Sequence, residues 1–283
     1  MHSAHNKEHS QGRIDIVLWL EDSRPIEFVL DTGAKATIIP MYIFSKMFPD
    51  VVPNEKCLEA SGGHMRITSP RIMSLTTSGG VTFKFPVCGG DGSPLLGIDF
   101  AYFCSIEADK NGVKDIFYCG SERPVHVYGD IKHCAPVTLK SLPPPVPGLI
   151  VQYFKLHGEH IPCLLDSGSV ASFLPTRLVP PSNTTVEYMS ANGSPFRTGG
   201  KCKVAIGING GHIPIAVHGY DIDPCASMGI LGENFLAYCT FKQHCHGSKG
   251  LKKIIYHGSE GDIVIMRLKP ITNAEYATVR VFD

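Results

Sequence analysis

Asp31-Thr32-Gly33-Ala34-Lys35-Ala36-Thr37-Ile38-Ile39-Pro40 decides how the chain is read, because Asp166-Ser167-Gly168-Ser169-Val170-Ala171-Ser172-Phe173-Leu174-Pro175 repeats it at a displacement of 135 residues. The same displacement carries Leu95-Leu96-Gly97-Ile98-Asp99-Phe100 onto Ile230-Leu231-Gly232-Glu233-Asn234-Phe235, and Cys104 onto Cys239. In each copy 66 residues separate the acid from the glycine of the second element, Asp31 from Gly97 and Asp166 from Gly232. The middles have drifted: Ser61-Gly62-Gly63 aligns with Ala191-Asn192-Gly193 at 130, and Gly79-Gly80 with Gly210-Gly211 at 131. A last echo, Ile116-Phe117-Tyr118-Cys119-Gly120-Ser121-Glu122 against Ile254-Ile255-Tyr256-His257-Gly258-Ser259-Glu260, extends the repeat past both glycine elements. Repeats this long are whole domains. We therefore expect a polar, His-rich and disordered tail over residues 1–13, a first lobe over 14–140, a stiff proline-rich linker over 141–149 and a second lobe over 150–283.

Outward from the repeat, composition points the same way. A chain of 283 residues exceeds the size at which one core usually stops growing, and 43% apolar against 18% charged residues suffices to fill two. Glycine (29) and proline (21) together exceed the roughly 12% of average usage, punctuation that favours short strands over long helices. Cys202, Val204, Ile206 and Ile208 alternate, Asn209-Gly210-Gly211 turns the chain, and Ile213, Ile215 and Val217 alternate back as a hairpin. Val81, Phe83, Phe85 and Val87 follow Gly79-Gly80 in the same manner. Helices are expected only after the glycine elements, over 98–104 and 233–239, where apolar residues cluster without alternation. The expected fold class is all-β with short helices only.

Twenty-six basic residues balance 26 acidic ones, so the chain lacks the one-signed field that binds nucleic acid or an anionic membrane. The start has no apolar signal-peptide core and no run approaches ~18 apolar residues, so a cytoplasmic protein with its ten cysteines reduced is expected.

Each acid follows an apolar run, Phe28-Val29-Leu30 or Cys163-Leu164-Leu165, and begins a glycine-containing turn. A single buried carboxylate there is unfavourable. Two copies packed about a pseudo-twofold axis bring the carboxylates together, where like charges cannot both ionise and one proton is shared. Such a dyad can take a proton from water with one carboxylate and give one to a peptide carbonyl with the other. Thr32 and Ser167 supply hydroxyls to fix the loops, and Gly33 and Gly168 remove side chains that would keep the acids apart. One Asp-Ser/Thr-Gly triplet alone is a common turn. Two triplets inside a demonstrable repeat are a different matter.

These residues resemble the retropepsin-like aspartic proteases of retroviruses and retrotransposons. Asp-Thr-Gly-Ala and Asp-Ser-Gly-Ser are similar to the family's catalytic loops, Pro94 to Phe100 and Gly229 to Leu236 to the element crossing behind them, and Met189 to Ser194 and Glu59 to His64 to its flap segments. The resemblance covers residues 14–122 and 150–260. It implies two acid-protease β-barrel lobes related by a pseudo-twofold, with Asp31 and Asp166 catalytic and Thr32, Gly33, Ser167 and Gly168 supporting them. It places Gly62, Gly63, Asn192 and Gly193 at the flaps over a polypeptide substrate, with no cofactor or metal. It further implies a monomer acting as an intramolecular pseudo-dimer, processing a retroelement or viral polyprotein in the cytoplasm or inside a virus-like particle. One departure is clear: family members often carry an Arg after the apolar-Gly element, paired with an acid after the catalytic loop, whereas here Ile98 and Glu233 face Lys35 and Val170.

The alternative is a catalytically silent, retroelement-derived peptide-binding or structural module that keeps the fold and the groove; the intact acids, hydroxyls and glycines favour the enzyme. Cys239, His244, Cys245 and His246 could suggest zinc, but no second ligand pair stands at finger spacing, which favours a polar loop.

Overall fold

The computed structural model describes residues 13–58, 64–109, 112–133, 135–143, 149–190, 193–208, 211–221, 228–238, 240–245, 251–258, 261–266 and 269–271. The expected tail up to residue 12 and linker residues 144–148 lie outside them. Strands account for 52% and helices for 9% of the structure, so the all-β expectation holds.

In lobe 1 the elements run β1 Asp15–Trp19, β2 Pro25–Leu30, β3 Ile38–Pro40, α1 Met41–Met47, β4 Glu55–Leu58, β5 His64–Ile67, β6 Arg71–Thr76, β7 Val81–Gly90, β8 Leu95–Leu96, α2 Ile98–Ala101, β9 Cys104–Asp109, β10 Gly112–Tyr118, β11 Val125–Tyr128 and β12 Val137–Leu139. Lobe 2 runs β13 Leu149–Leu156, β14 Glu159–Leu165, β15 Ser172–Leu174, a 3-10 turn Thr176–Leu178, β16 Thr185–Met189, β17 Pro195–Gly199, β18 Lys201–Ile208, β19 Gly211–Gly219, β20 Gly229–Leu231, α3 Glu233–Tyr238, β21 Thr240–Cys245, β22 Leu251–Gly258, β23 Gly261–Met266 and β24 Lys269–Ile271.

Each lobe is a closed six-stranded barrel. The first follows β3-β8-β2-β1-β6-β7 and closes through β3–β7; the second follows β15-β20-β14-β13-β18-β19 and closes through β15–β19. The duplication persists at the level of register, since Ile38↔Leu95 in one barrel is Phe173↔Ile230 in the other, and Leu30↔Leu96 is Leu165↔Leu231. Alternation builds the walls: Ile16 and Leu18 of β1 face inward while Val17 faces out, and Ile206 of β18 is buried where Lys203 and Ala205 are exposed. A third sheet, β11-β10-β9-β21-β22-β23, takes three strands from each lobe and joins them where Ile106 of β9 pairs with Gln243 of β21. Phe100 behind the first barrel stacks on Tyr118 of this joining sheet at 4.7 Å, and one apolar cluster runs through both lobes.

The expectation of helices only after the glycine elements is corrected by α1. Met41–Met47 follows Pro40, whose ring removes its own N–H and leaves the extended strand no further ladder donor. Ile43 and Phe44 then point inward together, and Phe44 lies where a Cβ on Gly89 would approach it to 2.6 Å. Among the described residues no helix is long and apolar enough to cross a membrane.

Candidate active site

Two parallel strand pairs deliver the acids. β2 lies beside β8 and β14 beside β20, so both chains leave their barrels side by side with the glycine element, and the Asp31 and Asp166 N–H groups donate to Leu96 O (2.8 Å) and Leu231 O (3.0 Å). Each loop then folds around its own carboxylate. Asp31 Oδ1 accepts from the N–H groups of Gly33 (2.8 Å) and Ala34 (3.0 Å), and Asp166 Oδ1 from those of Gly168 (3.0 Å) and Ser169 (3.1 Å).

The loops meet across the lobes through crossed hydrogen bonds. The Thr32 N–H donates to Ser167 Oγ (3.1 Å) and the Ser167 N–H to Thr32 Oγ1 (3.0 Å). Each hydroxyl donates onward to the end of the opposite strand, Thr32 Oγ1 to Leu165 O (2.7 Å) and Ser167 Oγ to Leu30 O (2.6 Å). Every donor and acceptor of this buried ring is satisfied.

The carboxylates are hydrogen-bonded to each other. A Cβ on Gly33 would sit 2.5 Å from Asp166 Cγ, and one on Gly168 2.5 Å from Asp31 Cγ, so only glycine admits the opposite acid. Burial raises both acids above the ordinary carboxylate range; the Asp31 hydrogen bond to Asp166 opposes the rise there, while the Asp31 charge adds to it at Asp166. The two acids therefore titrate as one pair that shares a proton. Both acids stay half-buried, open to solvent on one side.

Behind each loop stands a polar post absent from the sequence-derived site. Thr37 donates through its N–H to Asp99 Oδ2 (2.9 Å) and through Oγ1 to Asp99 Oδ1 (2.8 Å), and its Oγ1 accepts the Gly97 N–H (3.2 Å). In lobe 2, Ser172 Oγ donates to Asn234 Oδ1 (2.7 Å) and accepts the Gly232 N–H (3.0 Å), while Asn234 Nδ2 donates to Ala216 O (2.6 Å). Gly97 and Gly232 lie so close to the loops that a Cβ on either would strike a carbonyl, Ala36 O and Ala171 O respectively. Burial pushes the Asp99 carboxyl up to about 6 despite hydrogen bonds from Thr37 and the Phe100 N–H that favour its ionised form. The signal for these posts was present: positions 37/172 and 99/234 keep a polar residue inside an apolar stretch at the repeat displacement.

Of the expected flap residues, Gly62, Gly63 and Asn192 lie outside the described residues. Gly193 has φ +83° in the turn of the β16–β17 hairpin, where its N–H donates to Ser190 O at 2.9 Å. Cys239 and His246 also lie outside; among the described residues no group of three or more His, Cys, Asp or Glu could hold a metal ion.

No family model matches the chain, and no curated protein matches it.

Proposed function

We propose that the chain is an aspartic endopeptidase of the retropepsin-like type, with both halves of the site on one polypeptide, acting as a monomer to process a retroelement or viral polyprotein. The observation that carries this reading is the crossed contact of the two Asp-containing loops, which leaves Asp31 and Asp166 hydrogen-bonded and half-open to solvent with one proton favoured between them.

The chemistry follows from the single proton shared by Asp31 and Asp166. The ionised carboxylate of the pair accepts a proton from a water held against it as the water oxygen attacks the peptide carbonyl carbon; the protonated one donates to the carbonyl oxygen. The tetrahedral gem-diol then collapses: one of its hydroxyls returns a proton to the carboxylate that had donated, the other carboxyl gives the proton taken from water to the amide nitrogen, the C–N bond breaks, and the pair is left holding one proton as at the start. The Gly33, Ala34, Gly168 and Ser169 N–H groups hold the inner carboxylate oxygens and fix the outer ones toward substrate. Thr32 and Ser167 position the acids without touching substrate.

Incubation with a peptide library, read by mass spectrometry with and without a statine-type transition-state analogue, tests the reading. Internal cleavage suppressed by the analogue is expected. A protein that binds peptides and never cuts them is the silent module instead.

A further inference from the structure

The two β-hairpins are fastened to their barrels differently. In lobe 1 the β4–β5 hairpin continues the barrel ladder, with Ile67 paired to Gly90, the Thr68 N–H on Gly89 O (2.9 Å) and the Gly89 N–H on Thr68 Oγ1 (2.9 Å). In lobe 2, β16 and β17 form a two-stranded sheet of their own, with no ladder onto the barrel among the described residues. Side chains make the fastening there.

His218 of β19 is 4% exposed. Its Nδ1 stands 3.0 Å from Gly199 O at the end of β17, and its Nε2 2.8 Å from the Tyr188 hydroxyl on β16. A carbonyl only accepts, so Nδ1 carries the proton and Nε2 of the neutral ring accepts from Tyr188. Both strands of the hairpin hang from one imidazole. Tyr188 and Phe196 pack on Phe173, at 5.2 and 5.9 Å between ring centres, and Phe173 follows Ser172, which braces the glycine behind the Asp166 loop. The matching residue in lobe 1 is Cys88, since Ile38↔Cys88 there is Phe173↔His218 here; a thiol offers one weak donor where imidazole offers two separated nitrogens. The far end of the lobe-2 hairpin, Ser190 and Gly193, faces Pro40, Tyr42 and the Gly90 to Pro94 segment of lobe 1 across a groove of about 720 Å³.

We propose that His218 is a positioning residue: through Tyr188 and Gly199 it holds the lobe-2 hairpin across to lobe 1, so that the groove between them grips an extended polypeptide substrate beyond the bond being cut. The substrate rests on the endopeptidase reading; the fastening does not. Imidazole joins the hairpin to the barrel where no ladder does, and its loss frees the hairpin end on which the groove depends.

His218→Asn keeps a donor for Gly199 O and loses Tyr188, and Tyr188→Phe removes the same bond from the other side. Hydrogen exchange on the whole protein should show the amides of 185–199 exchanging about tenfold faster in either variant, no faster in the double variant, with those of 55–67 unchanged. With a cleaved peptide, KM should rise about tenfold while kcat stays within about threefold. His218→Gln, which reaches Tyr188 but not Gly199, should restore part of both. Unchanged exchange over 185–199, or effects that add in the double variant, would overturn the proposal. Faster exchange in the variants, with a wild-type protein that cleaves nothing, would leave the fastening standing and refute the endopeptidase reading.

Discussion

The Thr32 N–H and the Ser167 N–H each donate to the other residue's hydroxyl, at 3.1 and 3.0 Å, so neither Asp-containing loop is complete without the opposite lobe. Thr32→Val keeps the shape of the side chain and removes one hydroxyl, leaving the Ser167 N–H and Leu165 O without their partners in a buried place. A loss of about 1–3 kcal/mol in unfolding free energy is expected from chemical denaturation. Ser167→Ala should lose a similar amount, and the double variant less than the sum, because the hydroxyls share one ring. Strict additivity would mean that the crossed bonds do not act together.

Gly168→Ala tests the closeness of the acids. Its Cβ would meet Asp31 Cγ at 2.5 Å, so the opposing carboxyl must move. Peptidase activity should fall by about 100-fold or more, since displacements of that order cost this much, while the denaturation midpoint changes little. Retained activity would place the acids farther apart than described.

Asp99 predicts a pH dependence that has nothing to do with catalysis. Its folded pKa, about 6, lies above the ordinary aspartate value of 3.8, so the folded state binds this proton more tightly than the unfolded one. The resulting stability is present in full below about pH 3.8 and is lost as pH rises through about 6, up to about 3 kcal/mol for a displacement of this size. Asp99→Asn, which borrows the residue that lobe 2 carries at Asn234, should remove that dependence. The difference in unfolding free energy between wild type and variant, followed from pH 4 to 8, gives the answer; a difference that does not vary with pH would count against it.

The pair itself sets the rate profile. With both acids raised by burial and one proton between them, kcat/KM should follow a bell whose alkaline limb lies above the range of ordinary carboxylates, giving an acidic to near-neutral optimum. Both limbs belong to the dyad. A rate that climbs steadily into alkaline solution would require a different base.

The acids, their hydroxyl neighbours and the glycines were legible because duplication turns a common turn triplet into a pair with a fixed partner spacing. The barrels followed from alternation, as at Ile206, Ile213 and Ile215, which point to one side of their hairpin. Periodicity reports which face is buried but not which strand lies alongside, so the echo at 116–122 and 254–260 marked a repeat without revealing that β10 and β22 belong to one sheet joining the lobes. A short polar residue in an apolar run reads as a turn neighbour until its buried partner is seen, which hides the roles of Thr37, Ser172, Asp99 and Asn234 despite their matching places in the repeat. His218 gave still less sign, being one histidine in a strand whose role depends on Tyr188, 30 residues away.

The most direct test is to make Asp31→Asn and Asp166→Asn separately in the full chain and measure cleavage of one library-derived peptide, with circular dichroism confirming that each folds. If one chain forms one site from two loops, each variant loses at least about 10³-fold in kcat/KM, and the double variant loses little more, because the carboxylates act as a unit. Wild-type activity in either folded single variant would contradict the dyad.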